Sequence, residues 1–425
     1  MPTPCSAIAP PNLLRALPAP VRALCHRLEC AGLAAWVQGE TLLDAWLGPT
    51  RSRRPAHAIL CRGTRAALLA AMPAAVVTAE EAQRSTQATA AGPVDLIATE
   101  SRTVDETLLA FGLAPLAVAV RPSDGRWADP GGVREALAKR ELTRLDPGSG
   151  RPDPFALAPR RYWLAALLIA EYGLEPSAAL IASARAALPE VALRLPEGAP
   201  ARRVLERILA CPTPARALAF LRETGASEVI LPDLDPNMER RIDALACLPA
   251  LRWAAYLRGT STARALARLR MPHALARRIG RLQELHPLDR NLSADRDGPL
   301  RRTLNRLTRE ELDGLIAWRR LELAPARAPD AETRTDEAIA RERLARIERA
   351  IERLREQERA SGSVRQLALS GGDVMRILAT GAGPHVGRAL AHLAHWVAEA
   401  PSRNTAPALE AALRAWQADA GERSA

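Results

Sequence analysis

Lysine is almost missing from this chain. Lys139 is the only one, so nearly all of its 59 basic residues are arginine. Aromatic residues make up 3%, and the dominance of alanine, leucine and arginine favours helices over β-sandwiches. No two cysteines have the Cys-x-x-Cys spacing. The six thiols are Cys5, Cys25, Cys30, Cys61, Cys211 and Cys247; in the one tight group, Cys25-His26 and Cys30, the two thiols do not share a helix face cleanly. A metal site is therefore not expected, and reduced thiols in a cytoplasmic protein are. No apolar run reaches the roughly 20 residues that span a bilayer, and residues 1–20 lack a basic segment followed by a long apolar one. Neither a membrane helix nor a signal peptide is expected. No histidine occurs between His57 and His273, and no aspartate or glutamate from Ala45 to Ala79.

Against these gaps stand 425 residues, 48% of them hydrophobic, enough for several cores and two to four domains. A net charge of +11 and a pI of about 10.4 point to a polyanionic partner, with arginine-rich solvated surface as the plain alternative.

Val37 to Leu60 organises the chain. Leu33 to Val37 is an apolar run ending near Gly39. Leu42, Leu43, Trp46 and Leu47 then share one side of a short helix, with Asp44 on the other, and Gly48-Pro49 stops it. A second apolar run, Ala58 to Cys61, follows a basic loop. The reading is strand, glycine turn, helix, loop, strand; such a turn lets backbone N–H groups approach a phosphate. Before it, Pro18 to Gly32 reads as a helix with Val21, Leu24, Cys25, Leu28 and Ala31 on one face. After it come a helix at Thr64–Met72 and an apolar strand, Val94–Ala98, carrying Asp95.

This stretch resembles the signature of the class II tRNA nucleotidyltransferases, the CCA-adding enzymes and bacterial poly(A) polymerases. Their pattern is Gly-Gly-x-x-Arg-Asp-x-x-Leu-Gly, then a loop and an Asp-x-Asp on a strand. Gly39, Asp44, Leu47 and Gly48 match; Glu40 and Leu43 replace the second glycine and the arginine. The Asp-x-Asp falls in or beside Arg53-Arg54-Pro55-Ala56-His57, which contains no acid. The resemblance implies Mg²⁺-dependent nucleotidyl transfer, and Mg²⁺ needs carboxylate anchors beside the phosphates. The family also carries an acid on a later strand, which Asp95 matches unless it is a strand-end aspartate bonded to backbone.

The resemblance continues. Ser101 to Phe111 is similar to the family's ribose-selecting segment, with Arg102 kept and Thr103 and Thr107 in place of its aspartate and asparagine. Asp124-Gly125 signals a hairpin, and Asp129-Pro130-Gly131-Gly132 resembles a family turn before a helix from Val133 to Lys139. Gly148 to Pro152 reads as a connector. Pro159 to Pro176 resembles the family's neck, whose aspartate and arginine face the incoming base; Arg161 matches the arginine, while Ala158 replaces the aspartate. Arg203 and the run Pro212 to Leu234 continue the match, although the family's glutamate is here Arg207. Short amphipathic segments from Met238 to Gln357 read as a helical bundle. Arg264, Arg268, Arg270, Arg277, Arg278 and Arg281 cluster there, as do Arg301, Arg302, Arg306 and Arg309; basic rows suit an RNA backbone. After a linker at Ser361-Gly362-Ser363, the tail resembles the family's RNA-gripping module at Gly372, Asp373, Met375, Gly383, Pro384, Gly387, Leu390, Asn404 and Thr405. Asp373 reads as an N-cap, and His385, His392 and His395 as surface or packing residues.

The expected fold is α+β and mostly α: a Pro/Ala tail over 1–20, a small mixed-sheet head over 21–145, then an all-helical neck (146–236), body (237–360) and tail (361–425). The departures fall on metal, ribose and base-reading positions and spare packing positions. The expectation is a family homologue that binds tRNA or other structured RNA but is catalytically impaired, with no cofactor. Gly39, Asp44, Gly48, Arg102, Arg161 and Arg203 remain as nucleotide-facing residues, Asp95 as the one catalytic candidate, and Arg264, Arg268, Arg277, Arg278, Gly383, Gly387 and Asn404 as RNA-facing residues. One alternative is an active CCA- or A-adding enzyme that binds Mg²⁺ and a nucleoside triphosphate through displaced carboxylates, Asp44, Glu80 and Asp95. The other is a helical scaffold that binds no RNA.

Overall fold

In a computed structural model, the structure describes residues 11–48, 57–77, 84–100, 102–145, 153–195, 197–324, 331–360 and 367–422. The chain divides into two compact units, Met1–Asp243 with Tyr256–Ala276, and Ala244–Ala255 with Arg277–Ala425. The expected head and neck fall together in the first unit, and the tail with most of the body in the second. The connectors proposed at 148–152 and 361–363 lie outside the described residues.

The first unit holds a seven-stranded sheet in the order β3-β4-β5-β2-β1-β6-β7. Its strands are β1 (Ala34–Gln38), β2 (His57–Arg62), β3 (Val76–Val77), β4 (Arg84–Thr89), β5 (Gly92–Ala98), β6 (Ala119–Val120) and β7 (Trp127–Ala128). β2 and β5 run parallel and the other neighbours antiparallel, so the sheet is mixed, as expected. β6 and β7 form the hairpin signalled by Asp124-Gly125. A small parallel pair, β8 (Glu141–Leu142) and β9 (Glu175–Pro176), follows.

One sheet face is closed by helices. Val37, Ile59, Leu96, Cys61 and Ala98 lie on it and are buried. The helix Ala19–Cys30 packs there through Val21, Leu24, Cys25 and Leu28, the periodicity read from sequence. Ala31 is exposed and ends the helix instead of extending its apolar face. Part of the stretch read as a tail is ordered. Pro11–Ala16 is helical, the next helix starts at Ala19, and Leu13 and Leu17 are buried.

Side chains cap several helix starts. Thr64 accepts from the Ala67 N–H, and Thr103 with Glu106 forms a capping box. Asp129 accepts from the Val133 N–H at 2.6 Å and the Arg134 N–H at 3.2 Å, so the Asp-Pro-Gly-Gly turn opens the helix Val133–Ala138.

The second unit is helical throughout its described residues. One core joins Leu300, Leu312, Ile347, Ala350, Ile351 and Leu354. Another joins Leu369, Val374, Leu378, Ala389, Leu393, Val397, Leu409 and Leu413 in the tail. Asp373 is not an N-cap. Ser370 caps the helix Gly371–Leu378, and Asp373, three residues on, returns a hydrogen bond to the Ser370 N–H. These contacts and Arg376 hold the Asp373 carboxyl down at about 2.

Candidate functional site at the glycine turn

Gly39 has φ 73° and ψ −150°, a conformation essentially reserved for glycine. It turns the chain from β1 into the helix Glu40–Leu47, and its carbonyl accepts from the Leu42 and Leu43 N–H groups. A Cβ on Gly39 would stand 4.0 Å from that of Ala58, so the turn lies against β2. Gly48, at φ 99°, ends the helix.

The pleat separates the polar groups near this turn. Thr41 Oγ1 and His57 Nδ1 share a hydrogen bond of 2.8 Å, and Trp46 meets Trp127 at 5.1 Å. These contacts seat the helix on the closed face. His57 is buried there; burial holds its pKa below the ordinary 6.5, against the opposing pull of Asp44 and Glu40, so the imidazole is neutral at pH 7. Tyr172, from the helix Arg161–Tyr172, donates to Asp44 Oδ1 at 2.9 Å. Burial and the adjacent carboxylate push the Tyr172 phenol well up.

Asp95 projects from the other face. It pairs in register with Ala58, the residue after His57, and with Thr86, whose hydroxyl donates to Asp95 Oδ1 at 3.0 Å. Successive strand residues alternate sides, so Asp95 stands away from the helix that carries Asp44. Gln38, paired with Ala58, shares the Asp95 face; it is 3% exposed and its Oε1 has no hydrogen-bond partner among the described residues.

Among the described residues no group of three or more His, Cys, Asp and Glu side chains converges to hold a metal ion. Asp44 and Asp95 are held by different partners on different sides of the sheet. Residues 53–56 and Glu80 lie outside the described residues.

The other candidates are distributed as follows. Arg102 is exposed, just ahead of the Thr103 cap. Arg161 donates to the Pro154 carbonyl at 2.6 Å and the Ala110 carbonyl at 2.9 Å, so its guanidinium staples main chain together. Burial, with the charge of Arg160, holds its pKa below the ordinary arginine value. Arg203 is exposed on the helix Gly198–Ala210. Arg207 makes an ion pair of its own. It bonds Glu171 at 2.6 and 3.0 Å, and the Glu171 side chain is 2% exposed.

The arginines from 264 to 281 are split between the units. Arg264 and Arg268 are exposed in the first, where Arg268 also donates to the Val229 carbonyl at 2.7 Å. Arg277 and Arg278 belong to the second; Arg277 is exposed and Arg278 bonds Glu311 at 2.6 Å. In the tail, Gly383 has extended backbone and precedes the helix Pro384–Glu399, which Gly387 exposes on its surface. Asn404 Oδ1 accepts from the Ala368 N–H at 2.9 Å. Sequence reasoning missed the Thr41–His57 and Tyr172–Asp44 contacts. The only local signal for the first was a histidine opening an apolar strand. Nothing local signals the second.

Solved structures share this fold. A Bacillus stearothermophilus CCA-adding enzyme in complex with CTP aligns with a TM-score of 0.65 at 18% identity, covering 97% of this chain and 100% of that one. A Thermotoga maritima CCA-adding enzyme complexed with tRNA gives 0.61 at 15% identity over 95% and 98%. A CCA-adding enzyme complexed with ATP gives 0.61 at 13% identity over 92% and 93%. No protein-family model matches the chain, and no curated protein sequence matches it. The chain thus has the fold of the CCA-adding enzymes, mostly α with a mixed-sheet head. Among the described residues no helix is long and apolar enough to cross a membrane.

Proposed function

We propose that this chain is a member of the class II tRNA nucleotidyltransferase family that binds tRNA or another structured RNA but no longer transfers nucleotides. The fold likeness, which spans 97% of this chain and all of the CTP-bound enzyme, supports the family reading. The tail and neck motifs support it independently of the fold. The tRNA complex of a similarly folded enzyme and the +11 charge support RNA as the partner.

One observation carries the loss of chemistry. Where the family's paired acids are expected the sequence has none, and the two remaining carboxylates, Asp44 and Asp95, belong to opposite sides of the sheet. Two-metal chemistry at a phosphate needs oxygens brought together at one point. Arg161, the matching base reader, has lost the family's aspartate partner, Ala158 here, and gives two of its donors to main-chain carbonyls.

The test uses tRNA lacking its 3′ end, Mg²⁺ and labelled CTP or ATP. The expected outcome is no incorporation above the protein-free control, with tRNA binding that weakens steeply with salt and does not depend on Mg²⁺. Robust incorporation would overturn the loss of chemistry, and Asp95→Ala would then report whether Asp95 serves it. Failure to bind RNA at low salt would leave only the scaffold reading.

A further inference from the structure

The helix Ala178–Val191 carries only two charged residues, Arg185 and Glu190, in a chain that is 25% charged. Its inner side is buried through Leu180, Ala184, Ala187 and Val191. Its outer side is apolar too and stands in solvent: Ala179, Ala182 and Ala186, at spacings of three and four, are all exposed. A helix that is apolar all round is ordinarily covered all round. Just past its end Leu193 is fully exposed, and Leu157, on the helix Pro154–Leu157 packed beside it, is 56% exposed.

The three exposed alanines line an open groove of about 590 Å³ between the two helices. Its ends carry opposite charge. Arg144 stands at the start of the helix Ala178–Val191, because β8 pairs with β9 just ahead of it and the Ser177 N–H donates to the Leu142 carbonyl at 3.0 Å. Glu190 lines the other end, in the last turn, and makes no ion pair among the described residues. Arg144 has only Asp153, at 3.6 Å, longer than a hydrogen bond. Asp153 is engaged elsewhere: it accepts from the Ser183 hydroxyl and, at 2.8 Å, from the Phe155 N–H.

We infer that this groove is a contact between two copies of the chain, paired through antiparallel Ala178–Val191 helices about a twofold axis between Ala182 and Ala186. Charge selects this occupant. An apolar face with a cation at one end and an anion at the other is complementary to itself turned end for end. The rotation brings Glu190 of each copy to the helix start and Arg144 of the other, where the helix dipole also favours an acid. A nucleic acid would instead meet Glu190 as a like charge, and a small ligand in the groove would leave Leu193 bare.

Shape agrees with charge. Alanines at the crossing let the two backbones approach to the short end of the usual range of about 8–10 Å between helix axes. Leu157 and Leu193 of each copy are then covered by the other. A face of one helix, roughly 20 Å long, with its flanking leucines falls at the low end of specific interfaces, so the pair is weak and forms with rising concentration. The inference does not depend on RNA binding.

Sedimentation equilibrium of the full chain without RNA, over roughly 1 to 200 μM, measures the association. Wild type should pass from monomer to dimer within that range. Ala182→Glu keeps a good helix former at an exposed position but sets like charges near the axis; it should weaken association at least about tenfold with an unchanged melting temperature. Leu193→Ser should weaken it by roughly threefold or more. Glu190→Arg should weaken it as well, and Arg144→Glu/Glu190→Arg should regain it, because the swap pairs opposite charges across the axis again. That rescue separates this antiparallel contact from a general loss of surface. A chain that stays monomeric throughout would overturn the inference and leave the groove to another protein or a small ligand. A dimer that Ala182→Glu and Leu193→Ser leave unchanged would overturn it too, as would a folded charge-swap variant that does not regain association.

Discussion

Truncating Arg319 should reveal how strongly the second unit depends on one buried ion pair. Its guanidinium donates to both oxygens of Asp289, at 2.6 and 3.0 Å, and to Glu322 at 3.1 Å. The Arg319 and Asp289 side chains are 9% and 1% exposed. The pair ties the helix Arg309–Glu322 to the short helix Leu288–Asn291, beside His286, which stacks on Trp318 at 3.7 Å and shares Glu322. Charges this deep are tolerated because each solvates the other. Arg319→Ala strands the Asp289 carboxylate without its bidentate partner, and breaking a buried pair in this way costs about 3–5 kcal/mol. Asp289→Ala removes the acid and leaves Arg319 with Glu322, so it should cost less, about 1–2 kcal/mol. In a domain of this size each kcal/mol moves the transition by roughly 2–4 °C, so Arg319→Ala should melt roughly 6–20 °C lower. The double variant Asp289→Leu/Arg319→Leu should recover much of that loss, because an apolar pair carries no stranded charge. Thermal unfolding followed by circular dichroism measures all three. If Asp289→Ala proves as damaging as Arg319→Ala, the penalty is lost contact and not a buried charge, and the reasoning fails.

Three more outcomes are expected. Glu239 is 2% exposed, and burial raises its pKa above the ordinary 4.5 despite the hydrogen bond from Arg222 at 2.7 Å. The folded chain then holds that proton at higher pH than the unfolded chain, so Glu239 is a burden at neutral pH that is relieved as pH falls through its raised value. Glu239→Gln should leave stability at pH 7.5 unchanged or higher and abolish the gain that wild type receives as pH falls through the raised Glu239 value; a clear loss at pH 7.5 would refute this. Asp129→Ala should cost about 1–2 kcal/mol by uncapping the helix Val133–Ala138. It should also lower the titration of Asp105, which burial and the Asp129 charge now raise, an effect carboxyl NMR would detect. Gly39→Ala should cost about 1–3 kcal/mol, since alanine does not adopt that backbone conformation without strain; an unchanged melting temperature would show that the turn can relax.

The sequence alone determined most of the local architecture. The apolar period of Ala19–Cys30, the glycine turn at Gly39 and the Asp129–Gly132 turn were legible because each depends on residues a few positions apart. The tail helices were legible for the same reason, although the cap itself proved to be Ser370, with Asp373 completing the box. Tertiary structure decided the partners. Arg207, which stands where the family has a glutamate, finds its partner Glu171 only through folding, across 36 residues of chain. For Arg161 the sequence placed the residue in the neck, but only folding gave two of its donors to the Pro154 and Ala110 carbonyls. The fate of Asp95 turned on strand parity, since a single residue of register puts a carboxylate on the face beside the Asp44 helix or on the one away from it. That register is set by pairing with β4, its hairpin neighbour, and with β2, a strand distant in sequence, so a local pattern alone could not reveal which face Asp95 takes.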